Sequence, residues 1–168
     1  MASFGSTLLV TGPESFLAQR AVARTRTAAL AERPDADVNE ITATELEDTM
    51  LSEVVGGSLF SSDIIAVIDD VGACPAGVVD QLVEVAKNPG DDLCLILVHQ
   101  GGNKGKGLID KLKKAKVPTE TVAAVKPWDL PKFVAEEARG RGVRISSDAA
   151  GELVAAVGND MRALAAAV

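Results

Sequence analysis

The spacing of apolar residues changes repeatedly along the first three-quarters of the chain. These changes predict strands and helices that alternate. Continuous apolar runs such as IIAVI and LCLILV are typical of parallel strands that are buried on both faces. Segments with a period near 3.6 residues separate these runs and predict amphipathic helices. Strand–helix alternation of this kind predicts an α/β fold with a parallel sheet. We expect strands at 7–10, 37–41, 64–68, 93–98 and 121–125.

Two of the helix starts have local signals. Pro13 suits the first helical position, which predicts a helix from there to about Ala31. Thr44 and Glu47 have the spacing of a capping box, which predicts that a second helix opens there and ends at the Gly56–Gly57 pair. A third helix is expected at 76–87 and a short basic helix after the fourth strand.

From Pro127 the pattern changes to three helices with no strand between them. Their expected N-caps are Asp129, then Ser146 or Ser147, then Asn159. The sequence therefore predicts an α/β domain over 1–126 and a small helical domain over 127–168. The last helix is still periodic at Val168, so we expect the chain to be truncated.

The overall charge and composition exclude several classes of protein. A net charge of −7 argues against broad electrostatic attachment to nucleic acid or to an anionic membrane. No basic n-region precedes the first apolar run, and no apolar run reaches 18 residues, so a cytoplasmic protein is expected. Cys74 and Cys94 lack metal-ligand spacing, and we predict no metal site. His99, the only histidine, is expected to be a hydrogen-bonded strand-end side chain.

The first strand and helix, LLVTGPESFLAQRAV at 8–22, have the outline of a nucleotide-binding corner without its chemistry. A P-loop needs a second glycine, a lysine and a hydroxyl after its first glycine. After Gly12 this chain has Pro13, which lacks an N–H donor, and Glu14, whose charge would repel a phosphate. The segment IAVIDD resembles a Walker B strand, but that signal is weak without the P-loop lysine. We therefore predict no nucleotide cofactor and no catalytic residue.

A lysine-rich segment, GGNKGKGLIDKLKKAK, follows the fourth strand. A solvated surface is the usual explanation for such a run, and a secondary contact with DNA or a partner chain is the alternative, which would weaken steeply with salt. The candidate contact residues are Lys104, Lys106, Lys111, Lys113 and Lys114.

The segment SLFSS places Leu59 and Phe60 between a Gly-Gly pair and a polar tail. Patterning alone favours folding of both side chains into the core. The alternative is an exposed anchor for a protein partner, because flanking Gly and Ser residues offer the pair few neighbours.

Taken together, four segments resemble the delta subunit of the bacterial DNA polymerase III clamp loader over essentially the whole chain. They are LLVTGPESFLAQRAV, GGSLFSSDIIAVIDD, KGKGLIDKL and LPKFVAEEARGRGVRISSDAAGELVAAVGNDMR. The order of the segments and the spacing of SLF ahead of an apolar strand are the most specific features of the resemblance.

The resemblance implies an AAA+-like parallel-sheet domain with a degenerate P-loop, followed by a three-helix lid, while the family's third, collar domain is absent here. It implies that Leu59 and Phe60 insert into the sliding clamp, the beta subunit, with Ser58, Met50 and Leu51 as surrounding contacts.

The implied partners are the clamp, the other clamp-loader subunits and, indirectly, primed DNA at a cytoplasmic, nucleoid-associated replisome. The resemblance implies no intrinsic catalysis, although the subunit would belong to the polymerase III holoenzyme, a nucleotidyltransferase complex. The rival interpretations are a nucleic-acid-binding module that uses the lysines and a degenerate AAA+ ATPase.

Overall fold

The computed structural model describes residues 2–168, with the side chain of Asp48 outside the description. The chain divides into two compact units: the first ends at Ala123, and the second spans Ala124–Val168. Among the described residues, no helix is both long enough and apolar enough to cross a membrane.

The first unit is built on one parallel sheet, as the sequence predicts. All neighbouring strands pair in parallel, in the order β2-β3-β4-β1-β5. The strands are β1 (Ser6–Thr11), β2 (Asp37–Thr42), β3 (Ile64–Asp69), β4 (Leu93–His99) and β5 (Thr119–Thr121). The central strands β3 and β4 are the most deeply buried, in keeping with their continuous apolar sequences.

Four helices connect these strands: α1 (Ser15–Glu32), α2 (Asp48–Val55), α3 (Ala76–Lys87) and α4 (Lys106–Lys114). Short 3-10 turns lie at Ala43–Glu45 and Val71–Ala73.

The two faces of the sheet are covered differently. Successive side chains of a strand point to opposite faces, so Leu95 and Leu97 belong to the core under α2, α3 and α4. Ile96 and Val98 lie on the other face, which α1 covers with small residues such as Ala21. The long β1–β2 crossover therefore places α1 on the face opposite the other three helices.

Three predicted boundaries are wrong in the first unit. The first helix begins at Ser15 rather than Pro13, with Glu14 as its N-cap. Thr44 does not cap a helix, because 43–45 forms a 3-10 turn that buries Ala43, and α2 starts only at Asp48. The fifth strand ends at Thr121, where its pairing with β1 ends.

The second unit consists of three helices, α5 (Leu130–Gly140), α6 (Ser147–Val157) and α7 (Met161–Ala167), after a 3-10 turn at Pro127–Asp129. Its buried residues include Leu130, Val134, Ala138, Ala150 and Leu164.

The caps of these helices agree only in part with the prediction. The Ser146 hydroxyl accepts the Ala149 N–H at 3.1 Å, as expected. Asp129 lies at the N-cap of α5 without a side-chain cap hydrogen bond. The third helix is capped by the Asp160 carboxylate, which accepts the Ala163 N–H at 2.9 Å, and not by Asn159.

Candidate functional site

The most unusual surface feature of the first unit is a fully exposed pair of large apolar side chains. Leu59 is 101% exposed and Phe60 is 95% exposed. They lie in the segment 56–62 between α2 and β3, which we call the Leu-Phe turn. The expectation from patterning that both side chains enter the core is therefore wrong.

Hydrogen bonds within the turn explain why these two side chains point outward. The Ser58 N–H donates to the Ser61 carbonyl at 2.8 Å, which closes the backbone around residues 59 and 60. The Ser58 hydroxyl accepts the N–H groups of Phe60 and Ser61, both at 3.1 Å. The same hydroxyl donates to the Asp37 carboxylate on β2. The N–H groups of Ser58, Phe60 and Ser61 are thus satisfied within the turn, while the side chains of residues 59 and 60 remain in solvent.

A side chain of β2 and the side chain of Arg33, the residue that follows α1, hold the two ends of the turn. Before it, the Asn39 amide donates to the carbonyl of Val54, in the last turn of α2, at 2.8 Å. After it, Arg33 forms an ion pair with Asp63 and lies 3.6 Å from the Asp92 carboxylate.

Sequence reasoning missed Asp37, Asn39, Arg33 and Asp63. No local motif identifies them, because their roles depend on a sheet edge that joins distant segments.

The other predicted clamp contacts have different environments. Leu51 is only 2% exposed, because its side chain points from α2 into the core. Its prediction as a surface contact is therefore wrong. Its position on the buried stripe of an amphipathic helix explains this burial. Met50 is half-buried on the same helix, and Ser58 is exposed with its hydroxyl engaged in the turn. The structure therefore leaves Leu59 and Phe60 as the large apolar groups available at this surface.

The corner between β1 and α1 is closed by its own polar groups. The Gly12 N–H donates to the His99 carbonyl at 3.0 Å, and Pro13 has no N–H to offer. The Glu14 carboxylate accepts the Phe16 N–H at 3.3 Å and so caps the N-terminus of α1. A carboxylate thus occupies the helix terminus at which a P-loop would hold phosphate.

The backbone packing around this corner is also tight. A Cβ on Gly12 would lie 2.0 Å from the Val122 carbonyl oxygen, and one on Gly101 would lie 3.3 Å from Pro13 N. The backbone of the corner therefore packs directly against Val122 and against the loop after β4.

His99 has a structural role beside this corner, as the sequence predicts. Its side chain is buried, with Nδ1 2.8 Å from the Thr11 hydroxyl and Nε2 2.8 Å from the Lys104 carbonyl. The Gly101 N–H also donates to Nδ1, at 3.3 Å. A carbonyl can only accept, so this set of partners fits the Nε2–H tautomer. The imidazole therefore ties β1 and β4 to the loop that carries Lys104.

The structure offers little support for metal or thiol chemistry. Among residues 2–168, no three His, Cys, Asp or Glu side chains are grouped as metal ligands would be. Burial raises the pKa of the Cys74 thiol, and it raises the pKa of Cys94 to about 11, with a smaller contribution from the charge of Glu32. Both shifts favour the unreactive thiol form. Cys94 lies in the core, as predicted.

A cleft of about 560 Å³ flanks α1 at the carboxyl ends of β3 and β4. Its floor is apolar, with Val67 and Val98, and its rim includes the Arg26–Glu40 ion pair at 3.7 Å. Gly12, Pro13 and Ser15 of the β1–α1 corner also line the cleft, whereas no residue of the Leu-Phe turn does.

The five candidate lysines are all exposed on the loop before α4 and on α4 itself. Lys104 lies 3.8 Å from the Asp70 carboxylate, and Lys111 lies 2.8 Å from that of Asp80. In the described part of the chain, Lys106, Lys113 and Lys114 have no carboxylate within 4.0 Å. The buried residues Leu108 and Leu112 hold the opposite side of α4 in the core.

Comparisons with known proteins agree with this architecture. No protein-family model matches the sequence, and no curated protein matches it either. In structure, the chain is similar to the DNA clamp loader delta protein of Bacillus subtilis, with a TM-score of 0.72 and 16% identity over 96% of this chain and 51% of that one. The chain has an AAA+-type fold.

Two other similar structures come from Thermotoga maritima. The RuvB Holliday junction branch migration motor has a TM-score of 0.58 and 14% identity over 96% of this chain and 52% of its own. Domain III of the replication initiation protein DnaA also has a TM-score of 0.58, with 14% identity over 98% of this chain and 74% of its own. The chain spans about half the length of the delta protein and of the RuvB motor.

The predicted fold class and the predicted resemblance to the clamp-loader delta subunit are both confirmed at the level of structure.

Proposed function

We propose that this chain is the clamp-binding part of a DNA clamp loader, and that it binds the sliding clamp through Leu59 and Phe60. The observation that carries the proposal is the complete exposure of these two side chains on a hydrogen-bonded turn. The similarity in structure to the Bacillus subtilis clamp loader delta protein supports the choice of partner.

The apolar pair is large enough to dominate a small interface. Burial of a Leu or Phe side chain stabilises a complex by about 1.5 to 3 kcal/mol, so the pair contributes roughly 3 to 6 kcal/mol. Apolar anchors of this kind supply most of the affinity of many interfaces. We propose that the rest of the contact surface serves mainly to exclude water from the pair.

We further propose that clamp binding by this unit needs no nucleotide. Glu14 caps α1 with its own carboxylate, and no lysine stands at the P-loop position after Gly12. A wedge of this kind shifts the clamp toward an open ring only as far as it binds the open form more tightly than the closed one. ATP hydrolysis by other clamp-loader subunits would then control access to the wedge during loading onto primed DNA.

The direct experiment compares clamp binding by the unaltered chain and by the Leu59→Ala/Phe60→Ala variant. Immobilised sliding clamp is titrated with each protein in surface plasmon resonance. We expect the double variant to bind at least about 100-fold more weakly, because the lost contact energy of roughly 3 kcal/mol or more corresponds to two decades in Kd.

A matched control is Trp128→Ala, since Trp128 is 75% exposed but lies in the second unit. This control variant should bind the clamp like the unaltered chain. If the Leu59→Ala/Phe60→Ala variant binds as tightly as the control, the anchor assignment is wrong.

A secondary contact with DNA is favoured by the exposed lysines that have no acidic partner. We propose that Lys106, Lys113 and Lys114 touch the phosphate backbone when the clamp is loaded. Replacing all three by alanine should reduce the slope of log affinity against log salt by up to about 3. An unchanged salt slope in a DNA-binding titration would exclude this contact.

A further inference from the structure

The Leu-Phe turn contains few apolar contacts that would hold its shape, because its two large side chains lie in solvent. Its conformation therefore depends on polar contacts with the rest of the first unit. One of these contacts comes from Asp37, which begins β2 at the edge of the sheet.

Asp37 is linked to the exposed pair through one side chain. Its carboxylate accepts the Ser58 hydroxyl hydrogen, and the Ser58 oxygen accepts the N–H groups of Phe60 and Ser61 at 3.1 Å. The hydroxyl hydrogen is thus directed toward β2, which leaves the oxygen lone pairs free for the two backbone donors. A hydrogen bond to an ionised carboxylate is stronger than one between neutral groups, so Asp37 fixes the orientation of Ser58.

A second link joins β2 to the far end of the turn. The Asp37 N–H donates to the Asp63 carbonyl at 2.9 Å, and the Ser61 hydroxyl accepts the Asp63 N–H at 3.1 Å. Asp37 therefore contacts the turn directly through its carboxylate and also fixes, through its backbone, the residue that follows the turn.

We infer that Asp37 is a positioning residue that pre-organises Leu59 and Phe60 for their partner, acting through the Ser58 hydroxyl. The role in binding rests on the proposed clamp-binding function, whereas the ordering of the turn does not. A turn that is ordered before binding loses less conformational entropy when the complex forms, and this raises affinity without any new contact.

The first measurement is independent of the clamp. Backbone order parameters for Leu59 and Phe60 are measured by nitrogen-15 NMR relaxation in the free protein. We expect values near about 0.85 in the unaltered chain and below about 0.6 in Asp37→Ala and Ser58→Ala. Asp37→Asn keeps an acceptor oxygen and should retain most of the order.

The second measurement is clamp affinity for the same variants. Loss of one hydrogen bond that orders the turn should weaken binding about 5-fold in Asp37→Ala, and Asp37→Asn should stay within about 2-fold of the unaltered chain. Asp35→Ala is the matched control, because Asp35 is an exposed carboxylate just before β2 and, among the described residues, forms no hydrogen bond or ion pair with the turn. It should change neither measurement.

A double-variant cycle tests the route of the effect. If Asp37 acts through Ser58, Asp37→Ala should add almost nothing to Ser58→Ala, whereas independent effects would add. Ser58→Ala also distinguishes loss of order in the turn from unfolding of the unit, since removal of an exposed hydroxyl leaves the core intact.

The two proposals fail in different ways. Unchanged order parameters in both Asp37→Ala and Ser58→Ala, together with unchanged clamp affinity, would overturn the inference about Asp37 and leave the clamp proposal standing. Absence of clamp binding by the unaltered chain would overturn the proposed function, and the order parameters would still decide whether Asp37 orders the turn.

Discussion

The β1–α1 corner and the Leu-Phe turn satisfy their backbone polar groups in the same way but differ in what they leave exposed. At the corner, Glu14 and the His99 carbonyl take the N–H groups that a phosphate would use. At the turn, Ser58 takes the N–H groups of Phe60 and Ser61, and two large apolar side chains remain in solvent. Side-chain oxygens that accept backbone N–H groups thus produce a capped helix at the corner and two exposed apolar side chains at the turn.

The largest contrast in unfolding free energy is expected between a leucine on α2 and a leucine in the Leu-Phe turn. Leu51→Ala should lower the free energy of unfolding by about 3 to 4 kcal/mol, because Leu51 is buried and its loss leaves a cavity. Leu59→Ala should change it by less than about 0.5 kcal/mol, since Leu59 is fully exposed. Urea denaturation of both variants measures the difference. Similar losses in the two variants would mean that Leu59 is buried in solution.

The closed corner should also be sensitive to added volume. Gly12 has a φ of 146°, and a Cβ there would lie 2.0 Å from the Val122 carbonyl oxygen. Gly12→Ala should therefore cost about 2 to 3 kcal/mol of unfolding free energy.

Gly90→Ala is the control for this substitution, because a Cβ on Gly90 would meet nothing within 4 Å. It should change the free energy of unfolding by less than about 1 kcal/mol. Equal urea midpoints for the two variants would show that the corner has room for a Cβ at Gly12.

The cap on α1 gives a smaller expected effect. Glu14→Ala should lower the free energy of unfolding by about 1 kcal/mol, and Glu14→Ser, which retains a capping oxygen, should lower it less. Neither variant should bind Mg-ATP in a calorimetric titration, because Pro13 still lacks an N–H and the P-loop position after Gly12 has no lysine. Nucleotide binding by Glu14→Ala would show that this carboxylate alone blocks the corner.

The sequence predicts the sheet well because its central strands are determined by burial. The run IIAVI was expected at 64–68 and forms β3, which extends one residue further to Asp69. The helix at Ala76–Lys87 also has the predicted bounds, since its apolar stripe and its terminating NPG segment agree. Local pattern and tertiary packing favour the same structure in both segments.

Other features depend on contacts that no local pattern reveals. The Thr44–Glu47 pair has the spacing of a capping box, yet burial of Ala43 and Leu46 in the core requires a 3-10 turn there instead. Patterning also predicts Leu59 in the core, which is wrong. A local pattern cannot reveal the hydrogen bond from Ser58 to Asp37, because it joins residues that are 21 positions apart. The flanking Gly and Ser residues allow an exposed pair as the alternative, and the family resemblance favours that alternative.

The measurement that tests the central claim most directly is a calorimetric titration of the sliding clamp with the unaltered chain, performed with and without Mg-ATP. The account predicts clamp binding with the same Kd in both buffers, and loss of that binding in Leu59→Ala/Phe60→Ala under both conditions. Clamp binding that appears only with Mg-ATP, or that survives removal of both side chains, would contradict it.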